Sequence, residues 1–357
     1  MQSAEGAQQG DPLGPFYFCL DIKDLLESRT SELILDDITL GDNAAICAQD
    51  LKLLEETAGI IGLELNHSKC EIIGHTNYTR TLFASLNIFL PGTNPLAAVL
   101  LGAPLSAGHH LDSVLEDKRL ELKRLVMRLQ LMPAHDSLFL LRNVLSASRL
   151  MYLLRTAPCT GSPVLTCFDV LLRESLALTL NVDLNDDRWQ QASLPVRWGG
   201  LGVRGVVSLA PSAYLASAAS TSELISVLLP ARLSDFKDSG IEVALSAWIT
   251  RASGPSSRAS PPITSKQRDW DDACCKISSE FLLNSAADMV NRSRLLAASS
   301  LGSGDWLEAL PLASIGLKMD NATVRIAVGL RLGAPVVRPH TCICGATVSV
   351  FGHHGLS

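Results

Sequence analysis

The stretch Ile34-Leu35-Asp36-Asp37-Ile38-Thr39-Leu40-Gly41 constrains this chain most, because it sets two adjacent carboxylates between short apolar runs. Neighbouring side chains in a straight strand point to opposite faces. Asp tolerates turn geometry and the flanking residues have strand character, so the pattern reads as two strands folded on a tight turn. Only such a turn leans both carboxylates toward one spot. Paired anionic oxygens there suit a hard divalent cation such as Mg2+. Taken alone, the pair also reads as a solvated Asp-Asp turn, and the rest of the chain must decide.

A chain of 357 residues has room for two or three domains. Its 47% hydrophobic and 18% charged content implies a substantial buried core. Aromatic residues make up 5%, which leaves little surface for stacking on bases. A net charge of −6 argues against a strong grip on nucleic acid by the chain alone, since that affinity comes largely from Lys and Arg. The polar start Met1-Gln2-Ser3-Ala4-Glu5-Gly6 has no apolar signal core, and no apolar run approaches the ~18 residues of a membrane span. Nine cysteines, odd in number and mostly isolated in apolar stretches, fit reduced thiols and an intracellular setting, nuclear or cytoplasmic.

Along the chain, Gln8-Gln9-Gly10-Asp11-Pro12-Leu13-Gly14-Pro15 forces a rigid, irregular loop with exposed backbone N–H groups. Phe16 to Glu27 has helical spacing, and Ser31 to Leu40 is the expected hairpin. A helix capped by Asp42 should run through Leu51 and Ala58 to near Gly62. Leu63–Asn66 and Lys69–Ile73 read as a turn into a strand, with another short strand at Ala98–Leu101. Leu111 to Met132 is strongly amphipathic and carries Lys118, Arg119, Lys123, Arg124 and Arg128, until Pro133 ends it. Such a basic face can touch a phosphate backbone or be simply solvated. Asp136 is placed to cap a second helix through Leu154, and a third spans Pro163 to Leu180.

Gly200, Gly202 and Gly205 spell G-x-G-x-x-G, but Pro211 argues against the uninterrupted helix that a dinucleotide loop requires, so turn chemistry is the better account. Residues 212–250 read as helical, 252–262 as a linker, and Ser265 to about Ala298 as one further helix. At the end stand His340-Thr341-Cys342-Ile343-Cys344-Gly345 and Gly352-His353-His354. Cys-x-Cys-Gly turns both sulfurs toward one centre, and His353 could complete part of a zinc site with Cys342 and Cys344, with His340 or the second His as a further ligand. Two thiols without a metal remain the alternative. Short strands backed by helices, then a helical run, give an α+β domain followed by α-helical regions.

Four motifs in order resemble the palm of reverse transcriptases, closest to the polymerases of non-LTR retrotransposons. They are Gln9-Gly10-Asp11-Pro12-Leu13-Gly14-Pro15, Leu35-Asp36-Asp37, Gly62-Leu63-Glu64-Leu65-Asn66 with Lys69-Cys70-Glu71, and Leu101-Gly102-Ala103-Pro104. The resemblance divides the chain into a partial palm (1–105), thumb-like helices (106–157), a helical region (158–251), the linker (252–262), a second helical region (263–339) and a Cys/His segment (340–357). It implies Mg2+ on Asp36 and Asp37, a triphosphate near Lys69, and substrate contacts from Gln9, Gly10, Asp11, Pro12, Leu13 and Gly14. The partners implied are an RNA template and a DNA primer, the reaction two-metal phosphoryl transfer. The family's third metal-binding Asp and its fingers precede the Gln-Gly-Asp-Pro loop, where this sequence has Met1 to Gln8. Ile34 also stands where the family has Tyr or Phe, and the stretch between Pro15 and Asp36 is short. The expectation is a truncated, inactive polymerase fragment, with a non-catalytic nucleic-acid-binding or structural relic as the alternative.

Overall fold

The computed structural model describes residues 39–41, 43–60, 62–74, 76–85, 88–228, 237–254 and 258–356. These are mostly helical, with a few two-residue strands in small sheets. The Gln-Gly-Asp-Pro loop, the Phe16–Glu27 segment and the Asp36–Asp37 hairpin lie outside the described residues. The chain divides into two compact units, Met1–Gly102 and Ala103–Ser357.

The first unit opens with α1 (Ala44–Ile60). Its N-terminus is capped by Asn43, whose Oδ1 accepts from the N–H of Ala45 at 3.1 Å and Ile46 at 3.0 Å. The cap thus falls one residue beyond Asp42, where the shorter reach to the orphan donors is met by another good capping residue. Gly62 takes φ 77°, and the Leu63 N–H returns to the Ala58 carbonyl at 2.9 Å to end the helix. Strand β1 (Ile72–Ile73) pairs parallel with β2 (Gly92–Thr93), Ile72 facing Gly92 and Ile73 facing Thr93. A parallel pair needs a crossover, and α2 (Asn77–Ser85) supplies it. Ala48, Leu51, Phe83 and Ile88 form the core between them. Strand β3 (Val99–Leu100) stops where Leu101 and Gly102 both take positive φ.

The second unit begins at β4 (Ala103–Pro104) and α3 (His109–Leu129). Leu111, Leu115, Leu122, Val126 and Leu129 recur at helical spacing and are buried, while Lys123, Arg124 and Arg128 face solvent. The single helix expected from Asp136 to Leu154 is instead four pieces. After α4 (Ala134–Leu140) come one π turn at Leu141–Leu145, a 3-10 turn at Ala147–Arg149 and α5 (Met151–Thr156). The break is at Ser146, whose hydroxyl donates to the Arg142 carbonyl at 2.8 Å and competes with the backbone ladder. Asp136 lies inside the first turn of α4 rather than at its cap, and accepts from Lys318 Nζ at 2.6 Å. Helix α6 (Pro163–Leu180) has Pro163 at its first position and Asn181 in the left-handed region just beyond, so it keeps the bounds its sequence predicts.

Next come α7 (Asp186–Ser193) and the glycine-rich turn, then α8 (Val206–Leu228). The latter runs through Pro211, contrary to the expectation of an interruption. The carboxylate of Asp169 anchors its first turn, accepting from Val206 N–H at 2.6 Å and Val207 N–H at 3.2 Å. With those ends satisfied and little more than one turn upstream, the bond missing at Pro211 is tolerated. Helices α9 (Ser239–Ala252) and α10 (Gln267–Asn284) follow. The helix expected to reach Ala298 divides at Asp288, which caps α11 (Met289–Ala298) by accepting from Asn291 N–H at 2.7 Å. The short α12 (Asp305–Glu308), α13 (Asn321–Leu332) and the antiparallel pair β5 (His340–Thr341) and β6 (Thr347–Val348) complete the unit.

One apolar cluster runs from Leu111 through Leu172 and Val206 to Ala334, crossing the ranges 106–157, 158–251 and 263–339. A second is built on Trp248 and Trp270, whose rings meet edge to face at 5.1 Å. Trp248 Nε1 donates to the Trp270 carbonyl at 2.9 Å. The segment 252–262 therefore joins helices that share a core. Among the described residues no helix is long and apolar enough to cross a membrane.

Candidate metal centre

The C-terminal hairpin assembles three metal-ligating side chains from a short local sequence. Cys342 and Gly345 close a tight turn, the Gly345 N–H donating to the Cys342 carbonyl at 2.9 Å and the Cys342 N–H to the Ala346 carbonyl at 2.9 Å. Gly345 takes φ 84°, a region that a Cβ would strain. The turn brings the two sulfurs to one side of the hairpin, whose far strand is anchored by buried Val348. A 3-10 turn over His353–Leu356 then returns an imidazole to them. Cys342, Cys344 and His354 present ligand atoms that all lie within 4.8 Å of one another, with Cys344 Sγ 3.2 Å from His354 Nε2.

The histidine in this cluster is His354 and not His353, which corrects the sequence expectation. His353 is exposed and its ring stacks on Phe351, centroids 5.7 Å apart and planes 18° from parallel. Consecutive residues of a tight helical turn point in different directions, so one of the pair can reach the sulfurs. His340 is also elsewhere, its Nδ1 2.9 Å from the Arg338 carbonyl oxygen.

The electrostatics favour a thiolate. Hydrogen bonds from the Cys344 backbone and side chain and from His354 hold the Cys342 thiol down at about 7. Cys159, Cys274 and Cys275 are buried, and burial pushes them up to about 12, 11 and 11. A soft, partly exposed thiolate beside a second sulfur and an imidazole is a donor set for zinc. Tetrahedral Zn–S and Zn–N bonds put neighbouring donors roughly 3.5–4 Å apart, within the spread seen here. Three donors leave the fourth position to water or another ligand.

Lys69 is exposed at the end of a 3-10 turn over His67–Lys69, which Asn66 caps by accepting from Ser68 N–H at 3.1 Å. Gln9, Gly10, Asp11, Pro12, Leu13, Gly14, Asp36 and Asp37 lie outside the described residues. The glycine-rich segment is a packing turn. A Cβ on Gly200 would stand 2.0 Å from the Leu194 carbonyl oxygen, and Gly202 takes φ 76°.

Sequence reasoning missed a group of arginines beside the centre. Arg331 is buried, and its guanidinium donates to the carbonyls of Gly200 (3.1 Å), Ser303 (3.1 Å), Val196 (3.2 Å) and Ala298 (2.9 Å). Arg294 Nη1 donates to Gln191 Oε1 at 2.8 Å and to the Arg331 carbonyl, while Arg188 Nη2 donates to the Gly333 carbonyl at 3.1 Å. The bonds of Arg331 to Gly200 and Val196, of Arg294 to Gln191 and of Arg188 to Gly333 each span more than a hundred residues, so no local pattern announces them.

No family model, curated protein or solved structure matches this chain.

Proposed function

We propose that this chain is a retroelement-derived fragment related to RNA-directed DNA polymerases, acting as a nucleic-acid-binding piece and not as a polymerase by itself. The observation that carries the reading is the order of four palm-like motifs between Gln9 and Pro104. The Mg2+ role of Asp36 and Asp37, the triphosphate role of Lys69 and the template and primer as partners rest on that resemblance. Within these residues the resemblance supplies two of the family's metal-binding carboxylates. The donor set Cys342, Cys344 and His354 favours the binding reading, because a small zinc-held hairpin can present backbone and side chains to a strand without catalysing anything. The exposed Lys123, Arg124 and Arg128 on α3 add phosphate-seeking charge despite the net −6.

The test has two arms on the purified chain. Primer extension on an RNA template with Mg2+ should give no product, and extension abolished by Asp36→Ala would overturn the inactive reading. Binding to an RNA–DNA duplex should weaken as salt rises, with a linear dependence of log K on log salt. Absence of salt-sensitive binding would overturn the proposal itself.

A further inference from the structure

A groove of about 410 Å3 lies beside the C-terminal hairpin, lined among others by Arg188, Gln191, Arg294, Leu332, Phe351 and His353. Arg188 and Arg294 line it, and Arg294 Nη1 donates to the carbonyl of a third arginine, Arg331. Arg188 reaches one carboxylate, Asp183 Oδ2 at 3.4 Å, and that side chain is 84% exposed. Arg294 and Arg331 meet no carboxylate among the described residues: every partner of Arg331 is a backbone carbonyl, and Arg294 also bonds Asn291 Oδ1 (2.7 Å from Nη2) and Gln191 Oε1.

The bland account is that these arginines cap the C-terminus of α13, whose carbonyls at Arg331 and Gly333 they bond. A helix C-terminus offers about half a negative charge. That cannot balance three guanidiniums. Burial, with Arg188 and Arg331 nearby, pushes Arg294 down to about 10, which leaves it charged at neutral pH. The rim does carry Asp187 and Asp288, but both are exposed, where solvent screens them, and Asp288 is engaged as the cap of α11.

Donor accounting points the same way. Arg188 spends both Nη1 hydrogens on Asp183 and one Nη2 hydrogen on Gly333. Arg294 spends Nε, both Nη1 hydrogens and one Nη2 hydrogen. A guanidinium has five N–H donors, so three remain without a protein acceptor among the described residues. Phosphate oxygens match such a fork. The stacked Phe351–His353 pair lines the same groove and offers an aromatic surface.

We infer that the groove between α7, α11 and the C-terminal hairpin binds a nucleoside monophosphate unit, its phosphate on Arg188 and Arg294 and its base against the Phe351–His353 stack. The inference does not depend on polymerase ancestry and needs no zinc.

Equilibrium dialysis of the full chain at low salt, with AMP, adenosine and inorganic phosphate as probes, tests it. AMP should bind at least tenfold more tightly than adenosine and also more tightly than inorganic phosphate. Arg188→Gln should weaken AMP at least fivefold while leaving the circular dichroism spectrum unchanged. Phe351→Ala should weaken AMP but not inorganic phosphate, a readout that stands if Arg188→Gln fails to fold. Equal affinity for AMP and adenosine, or AMP binding unchanged in both variants, would overturn the inference. Failure here leaves the duplex-binding result untouched, so the two readings fall separately.

Discussion

Asp169 shows how one side chain ties a distant helix into the core. Its two oxygens take the first N–H groups of α8, and burial raises its pKa to about 6 even though those bonds pull the other way. An acid raised above its unfolded value holds more protons in the folded state between pH ~4 and ~6. This group's contribution to stability is therefore full below pH ~4 and is lost as pH rises through ~6. The rise from the ordinary carboxylate range to about 6 corresponds to about 2–3 kcal/mol. Measured as the difference between the native chain and Asp169→Asn, urea stability should fall across that window in the native chain alone. A parallel pH profile in both would show that Asp169 does not titrate there. No local signal in residues 160–175 marks this Asp, because its partners lie 37 and 38 residues on.

At the scale of elements, the glycine-rich turn and the C-terminal hairpin show what local sequence can and cannot specify. Gly200 packs flat against the end of α7, where the Leu194 and Gln191 carbonyl oxygens would sit 2.0 and 2.6 Å from a Cβ. Backbone cannot yield as a flexible side chain can, so Gly200→Ala should cost about 3 kcal/mol or more, read as a lowered denaturation midpoint. A loss under 0.5 kcal/mol would contradict this packing. The hairpin makes a second prediction. Zinc should bind the chain with release of protons, and Cys342→Ser or His354→Ala should weaken it at least tenfold, whereas His353→Ala should leave it within about twofold. Equal losses from His353→Ala and His354→Ala would reverse the assignment of the ligand. The Cys-x-Cys-Gly spacing announced the paired sulfurs, but the choice between adjacent histidines depended on how the closing turn is seated.

The second unit is held by a cluster that draws on helices from α3 to α13. Trp248 and Trp270 add a core across the Pro- and Ser-rich segment 252–262. A cleavage placed between residues 254 and 258 should therefore leave two pieces that copurify and keep near-ultraviolet dichroism from the tryptophans. Pieces that separate and each retain native dichroism would show independent folding. Composition read as a linker because Gly, Pro and Ser punctuate it. Punctuation ends a helix; it does not say whether the next one returns to the same core.

By itself the sequence determined those features whose causes lie within a few residues. Periodic leucines placed α3, Pro163 and Asn181 bounded α6, and Cys342 through Gly345 set a turn with two sulfurs on one side. Tertiary structure decided the passage of α8 through Pro211, whose anchor is the distant Asp169, and the gathering of Arg188, Arg294 and Arg331. The physical reason is range. Caps, turns and apolar periodicity act through neighbouring backbone, whereas a buried guanidinium finds its carbonyls on chain more than a hundred residues away, as Arg331 does at Gly200.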